Sequence, residues 1–498
     1  MWKAKRKAVC SALLASGLLT SSMLSLAADS EQLTTQSSKL SLENCHIDGI
    51  KEQIQCGTLT VPENYQAPSG QQIDLHFTVL SAIDNSNNKI PLMFLAGGPG
   101  QAATELSAML RNRFYEVRKT HDIILVDQRG TGQSSQLKCH DEAFTAKSVY
   151  ESLTFDFEVS EVQDCIAEFN QDLSQYNSEN AIRDFDAVRA ALGHDKINIY
   201  GGSYGTRAAL IYMRMFPQSL NSVVLDSVAP LDMRIGLFGQ SGARSYELLL
   251  SNCQAEESCQ QAFPNLDEDY QKVFNQLVVK PVELTIAHPR LGTPTKLVID
   301  VEKFVTTIQL QLYSLEGRSI MPLVINQAAQ GNFMPFVGVL AAGDEKQPRG
   351  SVYSNLLMNI ACNEDFPLIA EQDWQADANN GFARNISHRG VRLVCPLWPK
   401  YRPDASFYEP IRSDIPTLIL SGKLDPVTPP ENGERADQML ANSRHIVAEH
   451  LSHIVAVNDC GVGLVAKFID ELDLEGLDAS CLAELPAETF MTSLNGNM

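Results

Sequence analysis

The sequence predicts an α/β protein whose central sheet is mostly parallel and flanked by helices. The first observation is a series of short, continuously apolar runs, at 90–98, 121–130, 196–203, 222–228, 415–422 and 444–450. Parallel strands are covered on both faces and therefore read as unbroken apolar runs rather than as alternating ones. The second observation is that helical patterns lie between these runs, as at 181–193, where a glycine ends an amphipathic stretch. Strands that alternate with helices are typical of this fold class.

The first 27 residues predict a secretory signal peptide. A basic segment precedes an apolar stretch of small residues, and Ser25 and Ala27 fit the −3 and −1 positions of a cleavage site. We therefore expect the mature chain to begin at Ala28 and to be exported, to the periplasm or the medium. A retained membrane anchor is the alternative. No later apolar run is long enough to span a bilayer.

The cysteines support export. Removal of residues 1–27 takes away Cys10 and leaves ten cysteines, which fall into neighbouring pairs along the chain. An oxidising compartment permits disulfides, although sequence alone does not prove their connectivity. The pairs we predict are Cys45–Cys56, Cys139–Cys165, Cys253–Cys259, Cys362–Cys395 and Cys460–Cys481. The chain has no C-x-x-C or H-E-x-x-H motif, so nothing predicts a metal or another cofactor.

The charge of the chain argues against nucleic-acid and membrane partners. The formal net charge is −21, and it becomes about −25 once the signal segment, with its four basic residues and no acid, is removed. A chain this acidic is repelled by DNA, RNA and anionic membranes. We therefore expect no nucleic-acid partner and no membrane contact after signal cleavage.

The alternation of strands and helices is interrupted in the middle of the chain. Amphipathic helical patterns dominate there, at 242–253, 267–278 and 301–315. An N-terminal strand region, roughly 45–85, is expected to extend the sheet. The predicted domains are the first part of the core at 28–229, an inserted and mainly helical domain at 230–390, and the second part of the core at 391–498.

A candidate nucleophile, Ser203, lies in the segment GGSYG. The G-x-S-x-G pattern alone is weak evidence, because a turn can require small residues for other reasons. A nucleophile elbow needs a strand before the serine and a helix after it. The apolar KINIY before the motif and TRAALIYMRMF after it satisfy both conditions.

A serine hydroxyl needs a base, and the base needs an acid that orients it. In this architecture the order along the chain is serine, acid, histidine, with the acid and the histidine following later strands. Asp425 lies just past the end of the apolar run 415–422, in a turn rich in proline. The run 444–450 is followed by His453, our choice for the base, with His450 as the rival and His445 too early in the strand.

The oxyanion hole needs two backbone N–H donors. One is expected from Tyr204, the residue after the nucleophile. The other is expected from the loop after an early strand, where FLAGGPGQ provides Gly98, with Gly97 as the neighbouring candidate. An ordinary Gly/Pro turn is the alternative interpretation of this loop.

Taken together, the segments LAGGPGQ, DQRGTGQSS, GGSYGT and SGKLDPVTPP resemble the prolyl iminopeptidase and tripeptidyl aminopeptidase branch of the α/β-hydrolases. The resemblance covers about residues 45–485. It implies an α/β-hydrolase fold with a helical cap, and an exported serine exopeptidase that removes residues from peptide N-termini. Ser203, Asp425 and His453 match the triad positions of that family.

The sequence departs from the family pattern in two places. Prolyl iminopeptidases often have a histidine before Gly-Gly-Pro-Gly, where this chain has Ala96. This difference shifts the resemblance toward the secreted tripeptidyl type. The family's catalytic histidine is usually flanked by glycines, whereas His453 lies between Ser452 and Ile454.

An aminopeptidase must also recognise a free α-ammonium group, for which a carboxylate is the natural partner. The segment NIACNEDFP supplies Glu364 and Asp365, and we predict that Glu364 contacts the substrate amine. A solvated acidic turn is the alternative. Asp127 and Arg129 of the DQRG segment are expected to brace the loops around the cleft by ion pairing and hydrogen bonds, without a catalytic role.

The function that these observations predict is that of an exported serine aminopeptidase acting on peptides with a free N-terminus, without a cofactor. One alternative is an esterase or other acyl hydrolase, because a fold does not fix its substrate. The other alternative is a non-catalytic binding protein that keeps the same scaffold. An esterase would not require a free amine in its substrate. A binding protein would have a Ser203 that does not react with a fluorophosphonate probe.

Overall fold

The structure is a computed structural model that describes residues 40–87, 89–139, 159–287, 292–342 and 352–495. The predicted signal peptide, residues 1–27, lies outside these ranges. Within them, one sheet consists of nine strands: β1 Leu40–Cys45, β2 Ile54–Pro62, β3 Gln72–Leu80, β4 Leu92–Leu95, β5 Ile123–Val126, β6 Ile197–Gly202, β7 Leu220–Asp226, β10 Thr417–Gly422 and β11 Ser443–Ala448. A separate hairpin pairs β8 Val282–Ala287 with β9 Pro294–Ile299.

The order of strands across the sheet is β1-β2-β3-β5-β4-β6-β7-β10-β11. The strands from β5 to β11 in this order are parallel, whereas β1, β2, β3 and β5 pair antiparallel in succession. The central strands β4, β5, β6 and β10 are buried at every position, which explains their unbroken apolar sequences. The predicted fold class is thus confirmed, with the N-terminal strands extending the sheet as expected.

The α-helices that the structure describes are, in chain order, α1 Ser107–Arg113, α2 Tyr115–Arg118, α3 Val159–Glu168, α4 Ser178–Ala191, α5 Tyr204–Met215, α6 Gly239–Ala255, α7 Glu257–Ala262, α8 Leu266–Val279, α9 Val301–Gln311, α10 Leu315–Ala329, α11 Met334–Ala342, α12 Ser354–Ile360, α13 Glu371–Ala378, α14 Arg389–Val394, α15 Pro430–Asp437, α16 Asp459–Glu471 and α17 Ser480–Ala483. Helices α4 and α5 pack on one face of the sheet. Helices α1, α2 and α16 pack on the other. The sheet is therefore covered on both faces.

The chain between β7 and β10 carries helices α6 to α14 and the β8–β9 hairpin. Its helices bury a core of their own, which includes a group of aromatic rings: Tyr246, Tyr270, Phe304, Phe336 and Phe382. This cap segment is mainly helical, in line with the sequence pattern, although the hairpin was not foreseen. The boundaries at 230 and 390 stay predictions.

The five predicted cysteine pairs are all within disulfide distance, which confirms the pairing of sequence neighbours. Each bond links segments that are at most 33 residues apart along the chain. Two of them, Cys253–Cys259 and Cys362–Cys395, lie in the cap segment. Over the ranges that the structure describes, no helix combines the length and the apolar character needed to cross a membrane.

Candidate active site

Ser203 occupies a sharp turn between strand β6 and helix α5. Its backbone has φ 57° and ψ −124°, a strained conformation for a residue with a side chain. A Cβ at Gly201 would lie 2.3 Å from the carbonyl oxygen of Gly205, and a Cβ at Gly205 would lie 2.1 Å from that of Leu95. The two glycines of the motif are therefore required by close backbone contacts, as a nucleophile elbow demands. Ser203 itself is partly exposed.

Asp425 lies just beyond the end of β10 and is fully buried. Its carboxylate accepts hydrogen bonds from the N–H groups of Val427 and Thr428, both at 2.8 Å, and from Thr428 Oγ1 at 2.7 Å. It also accepts one from His453 Nδ1 at 2.7 Å. Burial opposes the charged form, but His453 and these donors outweigh it and lower the pKa of Asp425 to about 2. The acid is therefore ionised at neutral pH.

His453 follows β11 and contacts both the core and the cap. Its backbone N–H donates to the carbonyl of Tyr313 at 3.2 Å, and the Tyr313 ring lies edge-on to the imidazole at a centroid distance of 4.9 Å. Burial disfavours the imidazolium, yet the neighbouring Asp425 carboxylate raises the pKa of His453 above its usual value. Of the two other candidates, His445 lies within β11 beside Ser421 Oγ, at 2.9 Å, and His450 lies in the turn that follows.

The residues that replace the usual glycines beside His453 each have a local role. Ser452 Oγ donates to the carbonyl of Leu312 in the cap at 2.6 Å. Ile454 has φ 69°, a conformation that strongly favours glycine, and its N–H donates to Ser227 Oγ at 2.8 Å. The backbone after His453 thus keeps the glycine-like conformation although the residue there is β-branched.

The predicted oxyanion loop passes directly beside Ser203. A Cβ at Gly97 would lie 3.3 Å from Ser203 Cβ, so the loop and the nucleophile are neighbours. The Gly97 N–H donates to Gln101 Oε1 at 3.2 Å, whereas Gly98 has φ 108°, which a glycine readily adopts. Tyr204 is the first residue of α5, and the first N–H groups of a helix have no intrahelical partner.

Asp127 and Arg129 brace the surrounding loops, as expected. Arg129 is buried and forms a two-pronged ion pair with Asp184, at 2.6 and 2.7 Å. Asp127 accepts hydrogen bonds from the N–H and Oγ1 of Thr104, both at 2.9 Å, and from the N–H of Gln133 at 3.2 Å. Thr104 lies shortly after the oxyanion loop, so Asp127 connects that loop to the end of β5.

Glu364 lies in a short π-helical turn, residues 361–365, and is only 1% exposed. Oε1 accepts from the Ser178 N–H at 2.8 Å and from the Tyr401 hydroxyl at 3.2 Å, and Oε2 accepts from Ser178 Oγ at 2.5 Å. Ser178 Oγ in turn accepts from the Tyr204 hydroxyl at 2.6 Å. Burial raises the pKa of Glu364 to about 7. The alternative of a solvated acidic turn is therefore wrong, and the contact with a substrate amine stays a prediction.

Sequence reasoning missed several residues around this site. Asp226 and Ser227 at the end of β7, Ser178 at the start of α4 and Tyr313 of the cap all contact the candidate residues or the segments that carry them. The sequence offered an indication for Asp226, because it is an acidic residue at the end of an apolar strand. Such a residue lies at the edge of a parallel sheet where the strands end. Tyr313 had none, because its contact depends on how the cap folds back.

The parallel sheet, the strained serine turn and the acid–histidine pair define an α/β-hydrolase. Comparison with known families agrees: residues 90–278 match the family described as alpha/beta hydrolase fold, and residues 382–481 match the family described as TAP-like protein. The chain has the α/β-hydrolase fold, and its C-terminal part matches the TAP-like family.

Similar proteins of known name support the branch that the motifs indicated. The chain is 30% identical to tripeptidyl aminopeptidase of Streptomyces lividans over 204 residues, which is 37% of each chain. It is 29% identical to proline iminopeptidase of Aeromonas sobria over 179 residues, 34% of this chain and 37% of that one. It is 23% identical to the putative hydrolase YuaR of Escherichia coli (strain K12) over 427 residues, 78% of this chain and 80% of that one. This chain therefore aligns with well under half of the length of each of the two peptidases.

Proposed function

We propose that this protein is an exported serine aminopeptidase that cleaves peptides near a free N-terminus through an acyl-enzyme. One observation carries the proposal: His453 and the ionised Asp425 share a 2.7 Å hydrogen bond on the loops that follow β11 and β10, and Ser203 stands on a strained turn after β6. These loops all follow the carboxyl ends of parallel strands, which is where α/β proteins bind ligands.

In the proposed mechanism, His453 takes the hydroxyl proton of Ser203 as Ser203 Oγ attacks the scissile carbonyl carbon. Asp425 holds the ring through Nδ1, so that Nε2 is the nitrogen that accepts the proton, and it stabilises the resulting imidazolium. The raised pKa of His453 fits this role, because the base must hold the proton between the attack of Ser203 and the departure of the amine.

The tetrahedral intermediate carries a negative oxygen, which we assign to the N–H groups of Gly98 and Tyr204. His453 then gives its proton to the leaving amine, the C–N bond breaks, and the peptide leaves. Water attacks the acyl-enzyme in the second half, again with His453 as the base, and restores Ser203. Each donor of this oxyanion hole is expected to contribute about 10²- to 10³-fold in rate.

The substrate class comes from the similar proteins and from the need to bind an amine. The names tripeptidyl aminopeptidase and proline iminopeptidase favour peptides with a free N-terminus. Glu364 is our candidate for the carboxylate that meets the ammonium group. The Ser178 N–H, Ser178 Oγ and the Tyr401 hydroxyl already donate to its two oxygens, so the ammonium group would share this buried carboxylate with them.

Export is part of the proposal. Five disulfides form and persist in an oxidising compartment and are rare in the reducing cytosol. Together with the predicted signal peptide, they favour the periplasm or the medium as the place where the mature chain acts.

The test is hydrolysis of a paired substrate set by the purified mature protein. Pro-, Ala- and Ala-Ala-Pro-aminomethylcoumarin amides are compared with their N-acetylated versions and with a short p-nitrophenyl ester, with Ser203→Ala as the control. Cleavage of the free-amine peptides alone, lost in Ser203→Ala, is the expected result, and the best substrate sets the number of residues released. Cleavage of the ester alone would make the protein an esterase, and no reaction of Ser203 with a fluorophosphonate probe would make it a binding protein.

A further inference from the structure

Asp226 is a buried carboxylate that the proposed mechanism does not use, although it contacts both halves of the site. It is the last residue of β7, which lies between β6 and β10, the strands that lead to Ser203 and Asp425. Its side chain is fully buried. A buried carboxylate is costly unless it is paired or hydrogen-bonded, so its partners indicate what it does.

The backbone of Asp226 is tied to the nucleophile. Its carbonyl oxygen accepts the N–H of Ser203 at 2.9 Å. This bond fixes the strained turn from the side of the neighbouring strand, at the residue whose φ is 57°. The position of Ser203 therefore depends on the end of β7.

The carboxylate of Asp226 is tied to the loop that carries the histidine. Oδ1 accepts the N–H of Val455 at 2.8 Å and Oδ2 accepts the N–H of Ala456, also at 2.8 Å. These residues begin a short 3-10 helix, so the carboxylate caps N–H groups that the helix leaves without partners. The next residue, Ser227, accepts the N–H of Ile454 at 2.8 Å. The three successive backbone N–H groups after His453 therefore all donate to two successive side chains, those of Asp226 at the end of β7 and Ser227 just after it.

Hydrogen-bond donors around Asp226 favour its charged form, but burial outweighs them and holds its pKa above the usual value. Besides the two amides, the hydroxyl of Tyr200 donates to Oδ2 at 2.7 Å. Burial raises the pKa of Asp226, while these donors and the nearby His453 act in the opposite direction. The groups that face His453 include the Asp425 carboxylate, the Thr428 hydroxyl at 3.2 Å from Nδ1, the Asp226 carboxylate and the Tyr313 ring.

We propose that Asp226 is a positioning residue that holds the nucleophile turn and the histidine loop in register, and that its negative charge supports the protonated state of His453. The inference rests on the proposed roles of Ser203 and His453. Asp425 orients the ring through Nδ1, whereas Asp226 fixes the backbone from which the ring extends and adds a second negative charge to the site.

The experiment measures the rate of Ser203 inactivation by a fluorophosphonate against pH, for the wild type, Asp226→Asn and Ser227→Ala. Both substitutions disturb the hold on the loop, and a displacement of about 1 Å can cost about 10²-fold in rate. Only Asp226→Asn removes a charge. We therefore expect slower inactivation in both variants, and a midpoint that moves to lower pH only in Asp226→Asn, because the imidazolium loses a stabilising carboxylate.

The outcomes separate this inference from the proposed function. If the wild type is inactivated and Asp226→Asn has the same rate and midpoint, the role of Asp226 is overturned while the hydrolase stands. A lower rate with an unchanged midpoint would overturn the electrostatic part. If the wild type does not react, the proposed function fails.

A second measurement needs no variant and covers the case in which Asp226→Asn does not fold. Hydrogen exchange of the wild-type backbone should be slow at Val455 and Ala456, because both amides are bonded to a buried carboxylate. Exchange at the rate of unprotected amides would contradict the hold that Asp226 is proposed to exert.

Discussion

The carboxylate oxygen Oδ2 of Asp425 accepts a hydrogen bond from Nδ1 of His453 at 2.7 Å, across a gap of 28 residues in the chain. With Nδ1 as the donor, the neutral ring presents Nε2 as its acceptor, which is the tautomer that a general base needs. The bond joins two loops that follow adjacent parallel strands, β10 and β11. Their shared register therefore determines whether the pair forms.

Replacement of Asp425 by asparagine is expected to lower kcat by about 10⁴-fold, because the amide favours the wrong tautomer of the ring. The pKa of His453 should also fall, since the carboxylate raises it, so the acid limb of the kcat/KM profile moves to lower pH. The measurement is a pH profile with the best substrate of the paired set. Asp437→Asn, which affects an acid bonded to Ser443, is the control. A profile of Asp425→Asn that matches this control would remove Asp425 from the site.

Replacement of Gly98 by alanine tests the oxyanion loop. Gly98 has φ 108°, and an added Cβ would lie 2.7 Å from the backbone nitrogen of Gly100, so the loop must shift. If its N–H stabilises the oxyanion, kcat should fall by about 10²- to 10³-fold with little change in KM. Gly331→Ala is the matched control, because it has φ 88° with nothing within 4 Å. Equal activities of the two variants would exclude Gly98 as a donor.

Ile454 offers a test of backbone strain beside the candidate base. At an ordinary site alanine is more stable than glycine, but at φ 69° glycine should be the better residue, by about 1 kcal/mol. Ile454→Gly should therefore unfold at a higher temperature than Ile454→Ala. The same pair at Val457, whose φ is negative, should show the opposite order. If both sites favoured alanine, the strain at Ile454 would not exist in solution.

Glu364 should make stability depend on pH near neutrality. Its pKa is about 7 in the folded protein against an ordinary value of 4.5, so folding favours the protonated form. The resulting stabilisation is fully present below pH 4.5 and is lost as pH rises through 7; it corresponds to about 3 kcal/mol. Thermal unfolding at several pH values should show this loss in the wild type and not in Glu364→Gln.

The same variant tests the amine-binding prediction. If Glu364 meets the substrate ammonium, Glu364→Gln should raise KM for the free-amine peptides and leave KM for an ester unchanged. If it acts only through Ser178 and Tyr204, beneath the nucleophile turn, both substrates should be affected alike. The second result would overturn the assignment of Glu364 to substrate binding.

The sequence predicted those parts of the fold and site that depend on local patterns. The core strands were predictable because their sequences are unbroken apolar runs. Ser203 was predictable because it lies between glycines, which the close backbone contacts of its turn require. Asp425 was recognisable because it lies just past the end of a strand. The disulfides could be predicted as well, because each joins two cysteines that are consecutive along the chain.

The missing parts depend on contacts that are distant along the chain. Asp226 and Val455 are 229 residues apart, and Ser452 and Leu312 are 140 apart, so no local pattern links them. Ile454 points to the wrong backbone conformation, because a β-branched residue normally excludes the positive φ that the structure shows there. Its conformation is imposed by the bond from its N–H to Ser227 and by the loop around it.

The consecutive pairing of the cysteines has a consequence for the biogenesis of the exported chain that we propose. When a polypeptide crosses a membrane N-terminus first, its cysteines emerge in the order of the sequence. Among the ten cysteines after the predicted signal peptide, the first pairs with the second, the third with the fourth, and so on to the last pair. A thiol oxidase that acts on the emerging segment then meets a single free partner at a time. Such a chain can acquire its native connectivity during translocation, without an isomerase to reshuffle wrong pairs.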